Sequence, residues 1–164
     1  MKKPALLLVF VLLMSLVVWT AGCNEKGATD TLTLSIRGVE LCSAVSGNKD
    51  YIVQPGATFD RGGSVWLYFE ARGIMSRGAD GKLEVWIKFS DLKLYEPDGG
   101  MIAHVVDIAE LHETALDEAP TYAWFSAHYE SEADDILGQY RFEFTVEDEL
   151  SGATGTGSAT FTLQ

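Results

Sequence analysis

Apolar and polar side chains alternate with period two through most of the chain beyond residue 31, the mark of strands with one buried face. Leu32, Leu34 and Ile36 alternate with Thr33, Ser35 and Arg37. Val65, Leu67, Phe69 and Ala71 share one face of the next run, and Trp66, Tyr68 and Glu70 share the other. Leu83, Val85, Ile87 and Phe89 alternate with Glu84, Trp86 and Lys88, and Lys93 to Glu96 adds a further short extended piece. Met101 to Val106 is rich in β-formers, and Tyr122 to Tyr129 is aromatic and extended. Near the end Tyr140, Phe142, Phe144 and Val146 alternate with Arg141, Glu143, Thr145 and Glu147, and Ala159, Phe161 and Leu163 with Thr160 and Thr162. Turn chemistry separates the runs at Arg61-Gly62-Gly63, Ala79-Asp80-Gly81, Pro97-Asp98-Gly99-Gly100 and Ser151-Gly152, where glycine supplies positive φ and Pro-Asp-Gly favours a reversal. Gly155-Thr156-Gly157 reads as one more turn, before the last strand. Asp107 to Glu118 breaks the alternation. Ile108, Leu111, Ala115 and Leu116 fit helical spacing there, which predicts a short helix or an irregular crossover. The whole predicts an all-β, antiparallel sandwich or barrel of 7–9 strands.

The first 22 residues do not belong to that pattern. Met1-Lys2-Lys3 is a basic start, and Ala5 to Trp19 is apolar except for Ser15. These 15 residues fall short of the roughly 20 that span a bilayer and suit a secretory leader's apolar region. The run ends in Thr20-Ala21-Gly22-Cys23, which resembles the lipobox of prokaryotic lipoproteins, with Thr20 where that family usually has Leu. The resemblance implies cleavage before Cys23, a diacylglyceryl group on its sulfur, and anchoring of the exported chain to the cell membrane or outer membrane. The alternatives are an uncleaved membrane anchor and an ordinary secretory signal. On this reading residues 1–22 are a signal peptide, 23–31 a lipidated cysteine with a flexible tether, and 32–164 a single domain.

Charge then changes meaning. The chain carries 12 basic and 24 acidic side chains, a net −12. Without Lys2 and Lys3, ten basic side chains face the same 24 acidic ones, and the exported part stands at −14. So acidic a domain lacks the basic face that phosphates require, which argues against nucleic-acid binding. Cys42 is then the only thiol left, and its place beside Leu41 in an apolar run predicts a buried one.

One further resemblance lies near the C-terminus. In Asp135-Ile136-Leu137-Gly138-Gln139-Tyr140-Arg141-Phe142, an Asp, a Gly and a Tyr precede a core residue, as in the penultimate strand of immunoglobulin-like domains. The resemblance implies a Tyr140 hydroxyl bonded back to the backbone at the sandwich corner, with Phe142 facing the core where antibody domains have cysteine. Val146 to Gly152 followed by Phe161-Thr162-Leu163 resembles the closing hairpin of prokaryotic immunoglobulin-like modules. The implied fold is an immunoglobulin-like β-sandwich, which by itself assigns no chemistry.

Motifs of catalysis are sparse. There is no Gly-x-Ser-x-Gly elbow and no phosphate-binding loop. His104, His112 and His128 lack helical metal-site spacing and read as surface or boundary residues. Glu130, Glu132, Asp134 and Asp135 crowd one loop and form a weak candidate for a cation site, against the plainer reading of a solvated acidic loop. The sharper candidate is aromatic: Trp66, Tyr68 and Trp86, if exposed together, would form a platform for sugar rings or partner side chains. The expected function is therefore a non-enzymatic, lipid-anchored envelope domain that presents a binding surface to an envelope protein or a glycan. The alternatives are a carbohydrate-binding or adhesion module and a metal-dependent hydrolase. No cofactor is expected.

Overall fold

The computed structural model describes residues 33–79 and 81–164. The leader, Cys23 and the tether therefore lie outside the described residues, as do Leu32 and Asp80. Ten strands occur among the described residues: β1 (Ser35–Gly47), β2 (Asp50–Val53), β3 (Thr58–Phe59), β4 (Ser64–Arg72), β5 (Arg77–Ala79), β6 (Lys82–Tyr95), β7 (Met101–Leu116), β8 (Tyr122–Glu130), β9 (Gly138–Asp148) and β10 (Ala153–Leu163). They form two sheets. Sheet A runs β2-β1-β4-β8; sheet B runs β3-β10-β9-β6-β5, with β7 also on β6. Every pairing is antiparallel except β3 with β10, which is parallel.

Ten strands exceed the seven to nine expected because β2, β3 and β5 are four, two and three residues long. Such lengths are too short to show an alternation. The expected helix or crossover at Asp107–Glu118 is not there: Asp107 to Leu116 continues β7 as strand. Its pairing with β6 slips at three places, opposite Leu83/Val85, Phe89/Asp91 and Leu94/Tyr95. Asp107 and Ala115, at two of these slips, take positive φ of 53° and 62°. Each bulge shifts the phase of the side chains by one residue, so the inward residues Ile108, Leu111 and Leu116 acquire a spacing that imitates a helix.

The inward rows of both sheets meet in one core. Phe69 of β4 stacks on Phe144 of β9 at 4.3 Å and meets Phe89 of β6 edge-on at 5.1 Å. Gly155 and Gly157 are not a turn but interior residues of β10. A Cβ on Gly157 would lie 2.4 Å from the Phe144 ring, so the missing side chain is what lets that ring lie against β10. At the lower corner the Tyr140 hydroxyl donates to the Ile136 carbonyl at 2.8 Å, and Phe142 is fully buried, as the sequence led us to expect. Burial pushes the Tyr140 phenol up to about 12.

Candidate functional site: the outer face of sheet A

The two outer faces differ in kind. On sheet B the outward side chains form a lattice of ion pairs and histidine–carboxylate contacts. Arg77 and His112 both meet Glu84, at 2.7 and 2.8 Å, Lys88 pairs with Asp107 at 2.5 Å, and Lys93 and His104 both meet Asp91, at 2.8 and 2.5 Å. Burial alone would raise the Asp91 pKa, but the hydrogen bonds from Lys93 and His104 outweigh it and hold the carboxyl below its ordinary value. An open cleft of 370 Å³ lies on this face, lined by Asp91, Lys93, Glu143, Thr145, Thr156 and Ser158. Its charges are already committed, Glu143 to Arg141 at 2.6 Å.

Trp86 belongs to this sheet. Its ring stacks on His112 at 4.6 Å and its Nε1 donates to Glu110 at 2.6 Å. Trp66 and Tyr68 lie on β4 of the other sheet. The structure therefore does not bring the three expected platform residues together. Period-two alternation says which residues share a face of one strand, but β4 and β6 were placed side by side only because they follow each other in sequence.

Sheet A has a continuous aromatic outer face. Cross-strand register sets Cys42, Trp66 and His128 in one row, Glu40, Tyr68 and Ser126 in the next, then Glu70 beside Trp124, and Arg72 beside Tyr122. Trp66 stacks on His128 at 4.4 Å, and Tyr68 on Trp124 at 5.9 Å. Trp66 and Trp124 are half-buried, whereas Tyr68 is only 1% exposed although it points away from the core. What covers it is the β1–β2 hairpin. β1 leaves the edge of β4 after Cys42 and turns at Asn48-Lys49. Tyr68 and Tyr122 donate to Asn48 Oδ1 at 3.1 and 3.3 Å, and Asn48 Nδ2 lies 3.0 Å from the Tyr122 oxygen. Tyr122 belongs to β8, two strands away from β1, so the hairpin tip must cross the outside of β4. Tyr51 packs on Tyr68 at 4.5 Å. Lys49 Nζ lies 3.7 Å from Glu70 and 4.8 Å from the centre of the Tyr122 ring, a cation–π arrangement.

This roof accounts for the buried groups beneath it. Glu70 is 5% exposed and receives both Nε and an Nη of Arg72, at 3.1 and 2.7 Å. Cys42 is fully buried, as expected from sequence, and burial with Glu40 nearby pushes its thiol up to about 11. Such a thiol is unreactive at neutral pH. Asn48, Lys49, Tyr51 and Glu70 were missed by sequence reasoning. The available signal was Trp66-x-Tyr68-x-Glu70, a carboxylate on an aromatic face that needs a cation brought to it.

His128 is buried too, against the expectation of a surface or boundary residue. The Trp66 ring covers it, its Nε2 lies 3.3 Å from Glu130, and its Nδ1 has no hydrogen-bond partner. Burial pushes its pKa below the ordinary 6.5, opposed by Glu130. With the folded value depressed, the neutral ring contributes stability above the ordinary value, and that contribution is lost as pH falls through the folded value. Lowering pH from 7 to 5 is thus expected to lower the unfolding midpoint, and His128→Phe, which keeps the stack on Trp66, is expected to flatten that dependence. Thermal melts of the two proteins across this range check it.

The acidic loop is knitted rather than converging. Ser64 donates to Glu130 at 2.7 Å, Tyr129 donates its hydroxyl to Asp135, and the Glu132 amide donates to the same Asp135 oxygen at 2.8 Å. Asp134 is exposed. Among the described residues no group of three His, Cys, Asp or Glu side chains is placed to hold a metal ion, and no helix is long and apolar enough to cross a membrane.

No family model and no curated protein matches the chain. Among solved structures it is similar to the Pseudomonas fluorescens alkylpurine DNA glycosylase AlkC bound to DNA containing an abasic site analog, at 14% identity and a TM-score of 0.45, over 80% of this chain and 30% of that one. It is also similar to the N-terminal domain of PorA, at 15% identity and a TM-score of 0.29, over 77% of this chain and 98% of that one. The chain thus spans under a third of the glycosylase's length. Likenesses of this size carry no functional argument.

Proposed function

We propose that the chain is a non-enzymatic, lipid-anchored envelope domain with an immunoglobulin-like β-sandwich, and that the outer face of sheet A is its recognition surface. The anchor rests on the Lys-Lys start, the apolar run and Ala21-Gly22-Cys23. Two acyl chains hold a protein stably where a single chain holds it marginally. The immunoglobulin-like reading is supported by two packed, mainly antiparallel sheets and by the Tyr140 corner.

One observation carries the choice of surface. Trp66, Tyr68, Tyr122 and Trp124 gather on the outer face of sheet A, whereas on sheet B the outward Trp86 is stacked on His112 among side chains that pair with one another. Aromatic rings on an outer face bring a large contact area with little side-chain entropy to lose, as recognition surfaces need. A non-enzymatic role is supported by how the carboxylates are used: Glu70 holds a guanidinium, Asp135 a phenol, and Asp148 backbone amides. Cys23→Ser tests the anchor. The variant is expected to keep residues 1–22 attached and to carry no diacylglyceryl group; cleavage of the variant at the wild-type position would contradict the reading.

A further inference from the structure

The hairpin that roofs the aromatic face is attached to sheet A through β1 alone. Beyond Cys42 its strands pair only with each other. Its tip is held down by side chains: the Asn48 carboxamide between two tyrosine hydroxyls, the Lys49 ammonium on Glu70 and the Tyr122 ring, and the Tyr51 ring on Tyr68. Its outer edge exposes Ile52 and Val53, at 64% and 45%. Lys49 sits in the turn at φ 56°, a left-handed conformation that disfavours a residue with a Cβ. A segment tied by one ring pair and a few polar side-chain contacts opens at a lower cost than unfolding the domain.

The groups under the tip define what else they could hold. Two phenol hydroxyls receive a carboxamide, taking its N–H and giving to its C=O. Beside them lie two half-buried indole rings, Trp66 and Trp124, on the same face. An acetamido group presents the same donor and acceptor as the Asn48 side chain, and the apolar face of a pyranose ring suits an indole. We propose that the Asn48-Lys49 turn is a self-occupying lid, in which the Asn48 carboxamide holds the place of an acetamido group of an N-acetylated glycan. The inference rests on the reading of this face as a recognition surface and names its ligand class.

When the competent state is a minor one, apparent affinity falls by its population. Weakening the lid therefore tightens binding without adding a contact. The test is titration of the full-length chain in detergent with chitotetraose, followed by tryptophan fluorescence, in wild type, Lys49→Ala and Asn48→Ala. Cellotetraose, which has the same rings without acetamido groups, is the control. Melting curves establish that each variant is folded. Both variants are expected to bind chitotetraose about tenfold more tightly than wild type, and all three proteins to bind cellotetraose at least about tenfold more weakly than chitotetraose. Equal binding of the two glycans overturns the acetamido assignment and leaves the recognition face standing. Equal affinity of all three proteins for chitotetraose overturns the lid. No binding of either glycan by any of the three overturns the whole inference. The recognition reading fails separately if Trp66→Ala and Trp124→Ala leave binding to isolated envelope material unchanged.

Discussion

Replacing Phe69 by Ala is expected to destabilise the domain by about 3–5 kcal/mol, the range for a large buried aromatic whose site cannot collapse. The reason lies in the surroundings. Phe69 is fully buried at the centre of the sandwich, 4.3 Å from Phe144, 5.1 Å from Phe89 and 5.6 Å from Phe125. Those rings come from strands of both sheets, so the backbone on either side is fixed by its own ladder and closes little of the void. At this domain size the loss corresponds to a fall in melting temperature of about 10 °C or more. Phe69→Leu, which keeps most of the volume, is expected to cost about 1–2 kcal/mol. Denaturant titration of both variants checks the ratio; equal small losses would mean that the two sheets do not share this cluster.

The second large effect is expected at Asp148, a fully buried carboxylate at the end of β9. Its Oδ2 accepts from the Met75 amide at 2.5 Å, and its Oδ1 from the amides of Leu150 and Ser151 at 3.0 and 3.1 Å. One side chain thus caps the β9–β10 turn and ties the segment after β4 to sheet B. Asp148→Ala leaves three backbone donors without their acceptor. Each buried orphan costs about 1–3 kcal/mol, and water reaching the loop recovers part of it, so a loss of about 3 kcal/mol is expected. Hydrogen exchange locates it: the amides of Met75, Leu150 and Ser151 are expected to lose protection first, before the centre of β9 does.

How much of this was legible in the sequence varied with the physics involved. The alternating runs of β4, of Val85 to Phe89 in β6, of β9 and of Ala159 to Leu163 in β10 were readable because each keeps one phase, with a face that must be buried. Tyr140 was readable because its corner bond is local, reaching back four residues to Ile136. β7 was not, because its bulges shift the phase at Asp107 and Ala115. The glycines of β10 were misread as a turn. Their reason for being glycine is the Phe144 ring of the neighbouring strand, which a single strand's sequence does not reveal. Trp66 and Trp86 carry identical local signals and end on opposite sheets. The roof over Tyr68 depends on Asn48 reaching across β4 to Tyr122, a contact spanning 74 positions that no period encodes.

The proposed role of the aromatic face rests on the proposed anchor. If the domain is exported and tethered to a membrane, its recognition surface meets envelope material at high local concentration, and weak contacts through Trp66 and Trp124 suffice there. The most direct measurement of that account is intact mass spectrometry of the mature protein isolated from membranes. The account requires an N-terminus at Cys23 carrying a diacylglyceryl group. A chain that retains Met1, or one that begins near Cys23 with an unmodified thiol, would contradict it.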